Sequence, residues 1–380
     1  MSRRFVNLIA ERFIGQYPAS TLHRINPWRC FYPTTQQALA ASENSKAYSV
    51  EDDARLPRAA ISFYDPLQPD NPGDVNFFSL GSSSDGIISM DPDGNTLLYD
   101  GASRGLRVMP APHAAKGASV SLAVGDGLYI LAVNPGTEED HSFEALIHRG
   151  PSDDTTTRSD EKWFWRSLPP PPYAYDDHEC RKVGDYEEYR RRCYERNGKC
   201  PYAIGAYTVV GDSQVWISTK GGGTFSFDTT SGQWSEAGDW ALPLYGRVEY
   251  APELGLWFGF TSEDEGSQFA ACDLGAASPT RPPVLIKAWD EIAPPPVPPR
   301  WVPVMAFLLP LGGGKFCVAR MFDLAQEGWC RGKSGKDYLN VDTFAVLTGV
   351  EVVRGSRGVL RMIRHKSRRY NVGSSMARLL

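Results

Sequence analysis

Histidine is scarce in this chain. Six occur in 380 residues, at positions 23, 113, 141, 148, 178 and 365. They are scattered through loops and strand edges, and no grouping of histidine, cysteine and acid recurs at matching intervals. That argues against a catalytic or metal centre built on a repeated site. Cysteines two residues apart, from which zinc knuckles are made, are missing as well. His178, Cys180, Cys193 and Cys200 come nearest to a ligand set, but without that spacing they read as a bystander and free thiols. No metal and no cofactor is expected.

Long apolar runs are also missing. The most apolar stretch, "WVPVMAFLLPLG", is far short of the ~20 residues a bilayer requires and contains two prolines. The start, "MSRRFVNLIAERFIG", fails as a secretion signal because Asn7 breaks its apolar run and Glu11 follows. No Asn-x-Ser/Thr site occurs, and an odd number of cysteines, seven, points to reduced thiols. A cytoplasmic or nuclear monomer that avoids membranes is expected. Positive charge is in deficit too, at a net −5, so the chain is not built to coat nucleic acid. The exception is the end: from Arg357 onward seven Arg and Lys occur with no acid among them. "RHKSRRY" reads as the solvated face of a last strand, with an import or phosphate-binding patch as the alternative.

Glycine (36), proline (29) and aromatics (12%) are plentiful, a composition of many turns and aromatic strands. The chain is therefore expected to be all-β. Tight Gly or Asp turns lead into apolar strands at "DGIISM", "GDGLYILAV", "GDSQVWIST", "ELGLWFGF" and "GGGKFCVAR". Each is preceded by another strand and followed by a third and a fourth. Three of the third strands end in an Asp: Asp100, Asp228 and Asp273. The second strands begin near 86, 127, 213, 255 and 314. Four strands in ~40–50 residues, repeated, is the pattern of a β-propeller blade. The turn aspartates are expected to bind their own turn backbone, and Trp234 to fill the gap between blades.

Two terminal pairs, "RRFVNLIAE" with "STLHRIN" and "DTFAVLTGVEVV" with "GVLRMIRHK", resemble each other. Met1–Asn26 is therefore expected to pair with C-terminal strands and close the ring, leaving no free edge. Six blades result, with five or seven as alternatives. The organisation is one propeller domain over 1–380. Residues 1–75 hold closing strands and an irregular segment, 76–149 and 203–370 hold blades, and 150–202 are an insertion. The middle of that insertion is patterned as a helix by Glu187–Arg191 and Glu188–Arg192 at i,i+4 spacing.

Three motifs fail on context. "GASRG" matches a nucleophile elbow around Ser103, but a strand follows where a helix is required. "GWCRGKS" has one residue too few between its glycines for a phosphate loop. "DPDGN" at Asp91 lacks the remaining oxygens of a calcium loop. The polyproline runs Pro169–Pro172 and Pro294–Pro299 read as stiff connectors.

The strings "LLYDGASRG", "SLAVGDGLYIL", "WRSLPPPPY", "VVGDSQVWIST", "GTFSFDTTSGQWSEAGDWALP", "EYAPELGLWFGF" and "FAVLTGVEVV…HKSRRY" resemble a large family of grass proteins. Its members are described as kelch-like or as carrying a domain of unknown function. The likeness spans essentially the whole chain. It implies a propeller in a plant cell and no assigned activity. The expected role is a non-enzymatic protein-interaction scaffold, with a propeller hydrolase or a carbohydrate-binding protein as the alternatives. Tyr173, Tyr175, Tyr186, Tyr189 and Arg190 in the insertion form the candidate contact surface, Tyr and Arg being enriched at interface hot spots.

Overall fold

The computed structural model describes residues 4–14, 17–43, 50–51, 55–64, 75–81, 85–136, 138–149, 162–176, 203–219, 221, 223–289, 301–324, 343–373 and 377–380. The chain opens with β1 (Val6–Ile14), β2 (Tyr17–Ile25), α1 (Thr35–Glu43), β3 (Val50–Glu51) and β4 (Ile61–Tyr64). Five sets of four consecutive strands follow. They are β5–β8 (Asn76–Leu80, Gly86–Met90, Thr96–Asp100, Gly105–Met109) and β9–β12 (Ser119–Val124, Gly127–Ala132, Phe143–Arg149, Lys162–Ser167). A short helix, α2 (Tyr173–Asp176), precedes β13–β16 (Ile204–Val210, Gln214–Thr219, Gly223–Asp228, Gln233–Gly238). Next come β17–β20 (Tyr245–Ala251, Leu256–Phe260, Phe269–Asp273, Val284–Trp289) and β21–β24 (Trp301–Gly312, Lys315–Leu324, Thr343–Arg354, Leu360–Gly373). The last strand is β25 (Ala377–Leu379). The protein is all-β, and the second strands begin within one residue of the positions read from the sequence.

Within each set the strands pair in chain order. In β5–β8, β13–β16 and β17–β20 burial falls from the second and third strands to the fourth. β9 alternates, burying Val120, Leu122 and Val124, as a pleat with period two requires. β23 is buried along its first ten residues, on both faces. The fourth strands β8 and β20 are exposed over their first four residues. Such sheets are covered on both faces near one edge and wet at the other.

The turn aspartates bind their own loops. Asp100 Oδ1 accepts from the Ala102 N–H at 2.8 Å, Asp228 Oδ1 from the Thr230 N–H at 2.9 Å, and Asp273 Oδ1 from the Gly275 N–H at 2.8 Å. The hydroxyl and N–H of Thr230 hold the exposed Asp228 carboxyl below its ordinary value. Gly223 has φ +84°, and a Cβ there would press on the Gly238 carbonyl, so the entry to β15 admits only glycine.

The chain forms two compact units: Met1–Pro72 with Ala251–Ala271 and Ile286–Leu380, and Gly73–Tyr250 with Cys272–Leu285. In the second, Ile88, Met90 and Met109 pack with Leu128, Leu146 and Trp165, joining β5–β8 to β9–β12. Leu122, Phe143, Ile217, Phe225 and Phe227 join β9–β12 to β13–β16. β13 and β17 lie side by side in parallel, Ala206 opposite Gly246, and the Thr208 hydroxyl donates to the Val248 carbonyl at 2.8 Å.

Tryptophans of two fourth strands fasten their sheets to the preceding one. Trp165 Nε1–H in β12 donates to the Pro110 carbonyl, just past β8, at 2.8 Å. Trp234 Nε1–H in β16 donates to the Pro169 carbonyl, just past β12, also at 2.8 Å. The Trp234 ring lies 5.1 Å from Phe227 of its own sheet and 5.6 Å from Phe143 of the preceding one. It therefore fills the gap between sheets, but only half-buried. Trp234→Ala should cost about 2 kcal/mol in a urea melt, below the ~3–5 kcal/mol of a fully buried indole. A loss no larger than that of an ordinary surface substitution would contradict the wedge role.

In the other unit, Phe258, Phe269 and Trp289 pack with Phe316, Val350 and Met362. Val6, Leu8 and Ile25 pack with Met321, Leu347 and Val372. β1 sits between β2 and β25 in the sheet β25-β1-β2-β4. Leu8 pairs with Leu379, and Asn7 and Leu380 exchange both backbone hydrogen bonds, at 3.1 and 2.9 Å. The expected pairing of the N-terminal strands with the C-terminal end is present, with one correction. "DTFAVLTGVEVV" and "GVLRMIRHK" are the third and fourth strands of β21–β24, and the closing strand is Ala377–Leu379. β4, pairing with β2, fills a place left open in the sequence reading.

Two further differences concern the unit's surface. α1 lies in a stretch taken as irregular; the Thr34 hydroxyl caps it by accepting from the Gln37 N–H at 3.2 Å. The basic strand β24 is not a solvated face. Arg364 and His365 are buried, Lys366 lies 4.8 Å from the Tyr32 ring centroid and Arg369 lies 4.6 Å from that of Phe344. The alkyl stems and flat guanidinium of these side chains cover apolar surface. The helix expected around 187–197 falls outside the described residues.

Candidate functional site

Strands in an antiparallel sheet alternate in direction, so β9 and β11 begin at the same edge. Two connections meet there: Pro110–Ala118, entering β9, and Val133–Ser142, entering β11. β11 carries one acid, Glu144, in an otherwise apolar run, "FEALI". In the middle of a covered sheet that carboxylate is fully buried and demands compensation.

It receives three groups from the connections. The His113 backbone N–H donates to Glu144 Oε1 at 3.2 Å, and the His113 Nδ1–H donates to the same oxygen at 2.5 Å. Lys116 Nζ sits 2.5 Å from Oε2, with its side chain 2% exposed. The ammonium also donates to the His141 carbonyl at 2.6 Å, and Asn76 Nδ2 donates to the Lys116 carbonyl at 2.5 Å. Burial alone would raise the Glu144 pKa; the hydrogen bonds from Lys116 and His113 and the lysine's charge outweigh it and hold the carboxyl below its usual range. Burial draws the Lys116 ammonium down, against the pull of Glu144.

His141, with φ +44°, stacks on His113 with ring centroids 5.0 Å apart, and its Nδ1 lies 3.0 Å from the Ser167 hydroxyl. A nucleophilic triad needs a single imidazole to bridge hydroxyl and acid. Here the hydroxyl is on one histidine and the acid on the other, so the chain of bonds does not activate Ser167. Beside the network lies a pocket of about 240 Å³, lined among others by Ala115, Gly117, Ser119, Ala132, Gly136 and Asp140. Small residues leave the space. The Ser119 hydroxyl is buried there with no hydrogen-bond partner among the described residues. The arrangement is a rigid, charge-paired floor under a small polar pocket, suited to holding a ligand.

The other candidates fall elsewhere. Ser103 Oγ donates to Asp100 Oδ2 at 2.6 Å and accepts from the Gly105 N–H at 3.2 Å, in an exposed turn between two strands. Asp91 likewise caps its own hairpin, accepting from the Asp93 and Asn95 N–H groups at 3.0 and 2.8 Å. Tyr173 is not a contact residue: it is 3% exposed, with its ring 5.2 Å from that of Phe225, and it belongs to the core. Tyr175 lies in α2. Tyr186, Tyr189, Arg190 and the set His178, Cys180, Cys193 and Cys200 lie outside the described residues, as does "GWCRGKS". Cys30, Cys272 and Cys317 are buried thiols; burial, then Asp273, pushes Cys272 up to about 12, far from a reactive thiolate.

Sequence reasoning missed His113, Lys116, His141 and Glu144 as a group, because they come together only through two loops. The available signal was the lone acid in "FEALI".

No curated protein matches the chain. Among solved structures, an auxiliary nutrient binding protein from Bacteroides ovatus is similar over 77% of this chain, at 10% identity and a TM-score of 0.35. The chain spans 57% of that protein's length. The family described as protein of unknown function (DUF1668) matches residues 3–370, nearly the whole chain, and the chain belongs to that family.

Proposed function

We propose that the protein is a non-enzymatic binding scaffold of the kelch-like type, a six-bladed propeller that presents its insertion to a protein partner. Five four-stranded sets in chain order, and a sixth sheet ordered β25-β1-β2-β4, support the propeller. So do the core clusters that successive sets share. The scaffold works as a monomer in the cytoplasm or nucleus.

One observation carries the choice of the insertion. Leu168 and Tyr173, ahead of residues 177–202, and Ile204 after them lie in one core cluster, and the Ile204 N–H donates to the Val133 carbonyl at 3.0 Å. The flanking sheets draw all four of their strands from outside residues 177–202, and long connections on a scaffold are where recognition residues concentrate. Replacing Asp176–Lys199 by a Gly-Ser link should leave the melting temperature within a few degrees of the parent. Cross-linking capture of the partner from tissue extract should be lost. Unfolding of the shortened chain, or undiminished capture, would overturn the proposal.

A second reading is favoured by the 240 Å³ pocket and its unpartnered Ser119 hydroxyl. It is a site for a small hydroxylated ligand such as a monosaccharide, with the Lys116–Glu144 pair holding its floor.

A further inference from the structure

The connection after β2 lies on the β21–β24 sheet and is fastened there around one histidine. The turn Pro27–Cys30 buries Cys30, and Phe31 follows it into the core. A Cβ at Gly349 would strike the Cys30 carbonyl, so the approach is close at that point. Beyond Phe31 the chain turns through Tyr32 into α1, and two hydrogen bonds hold the corner. The Tyr32 N–H donates to His365 Nδ1 at 3.2 Å, and the Thr35 hydroxyl donates to Glu351 Oε2 at 2.9 Å. The His365 Nε2–H donates to that same carboxylate oxygen at 3.1 Å.

A backbone N–H can only donate, so Nδ1 must accept, and the ring is held neutral with its proton on Nε2. Every packed element contributes to its surroundings. β23 brings Glu351. β22 brings Lys315, whose Nζ donates to Glu351 Oε1 at 2.7 Å. The connection brings the rings of Phe31 and Tyr32, 4.7 and 6.2 Å away, and Arg29, whose carbonyl accepts from Arg368 Nε at 3.2 Å. β24 itself brings Arg364, Lys366 and Arg368. Burial lowers the pKa of His365, Glu351 pulls it up and Lys315 down, and the net direction is down.

We propose that Tyr32–Glu43 is a strap, latched to the β21–β24 sheet by neutral His365 and released when that ring takes up a second proton. With Nδ1 protonated, two donors face each other across 3.2 Å, and the corner at Tyr32 must move while Cys30 and Phe31 stay anchored. Lys366, lying against the Tyr32 ring, is uncovered by the same movement. The sign follows from the two states. In the open strap the imidazole has an ordinary pKa near 6.5, and in the latched strap a lower one. The latched state is therefore favoured above about pH 6.5 and loses ground as the pH falls below it.

The test is amide hydrogen exchange of the full chain at pH 7.5 and 5.0, corrected for the intrinsic chemical rate. The peptide containing Tyr32–Glu43 should lose about tenfold protection at pH 5.0, on the scale of one lost hydrogen bond, while the β14 peptide does not change. In His365→Gln, which cannot charge, that step should vanish. An equal step in the variant, or none in the parent, overturns the strap. Should the variant fail to fold, the parent alone decides, through ¹³C-labelled histidine. The midpoint of the exchange step must coincide with the titration of His365, below the ordinary histidine range, and a mismatch between the two overturns it.

Discussion

Glu144→Ala is expected to destabilise the protein by about 3–5 kcal/mol, the scale measured when one partner of a buried ion pair is removed. Lys116 cannot follow its lost partner into water, because its side chain is 2% exposed. The His113 ring and backbone N–H lose their acceptor in the same step. The double replacement Lys116→Met with Glu144→Leu removes both charges at similar volume and should recover most of the loss, since apolar substitutes for buried pairs are often neutral or better. Urea unfolding of the parent, the single and the double variants checks this. A Glu144→Ala cost near zero would mean that water reaches the pair. The pH dependence has a defined sign. The folded-state pKa of Glu144 is below its ordinary 4.5, so the pair's contribution is complete above about pH 4.5 and is lost as the pH falls through the folded value. The double variant should lack that acid limb.

Removing residues 1–26 should have the larger effect and leave no soluble native protein. β1 and β2 place Val6, Leu8, Leu22 and Ile25 at 1% exposure or less. At about 1.5–3 kcal/mol for each buried aliphatic side chain, their loss consumes most or all of a typical ~5–15 kcal/mol stability. The deletion also strips β25 and β4 of their partners and leaves bare backbone edges, which invite aggregation. Size-exclusion chromatography with thermal melting checks the outcome; a monomeric, cooperatively melting truncation would overturn the closing role of these strands. Removing only 377–380 should be milder, baring the β1 edge and costing the burial of Leu379.

The blade register was legible because it is written locally. A hairpin needs its turn residues beside its strands, so Asp100, Asp228 and Asp273 mark the third strands wherever the chain goes. Trp234 was legible for the same reason, since it lies in the strand that directly follows such a turn. The charged cluster was not. His113, Lys116 and Glu144 are joined by loop geometry that no local pattern encodes. Tyr173 was misread because a tyrosine beside a proline run and a charged insertion carries no local sign that Phe225 will cover it. The basic strand was misread for a related reason: "RHKSRRY" looks solvated by composition, and only the docking of the connection after β2 buries His365 and part of its neighbours.

The pairing of Leu8 with Leu379 sets an order of events in folding. Every strand of β5–β12 finds its partner next to it in sequence, so these hairpins close cheaply and early. β1 and β25 meet only after the intervening chain has been made compact, because the entropic cost of closing a loop grows with its length. During synthesis β1 and β2 leave the ribosome before β25, and β1 waits with one edge unpaired until β25 emerges. The slow step of folding should therefore be the seating of a three-residue strand. Its rate should respond to changes at Leu379 and hardly at all to changes in the turn aspartates. An early halt in translation would leave a chain with most of its hairpins formed and β1 still seeking a neighbour, a ready substrate for chaperones.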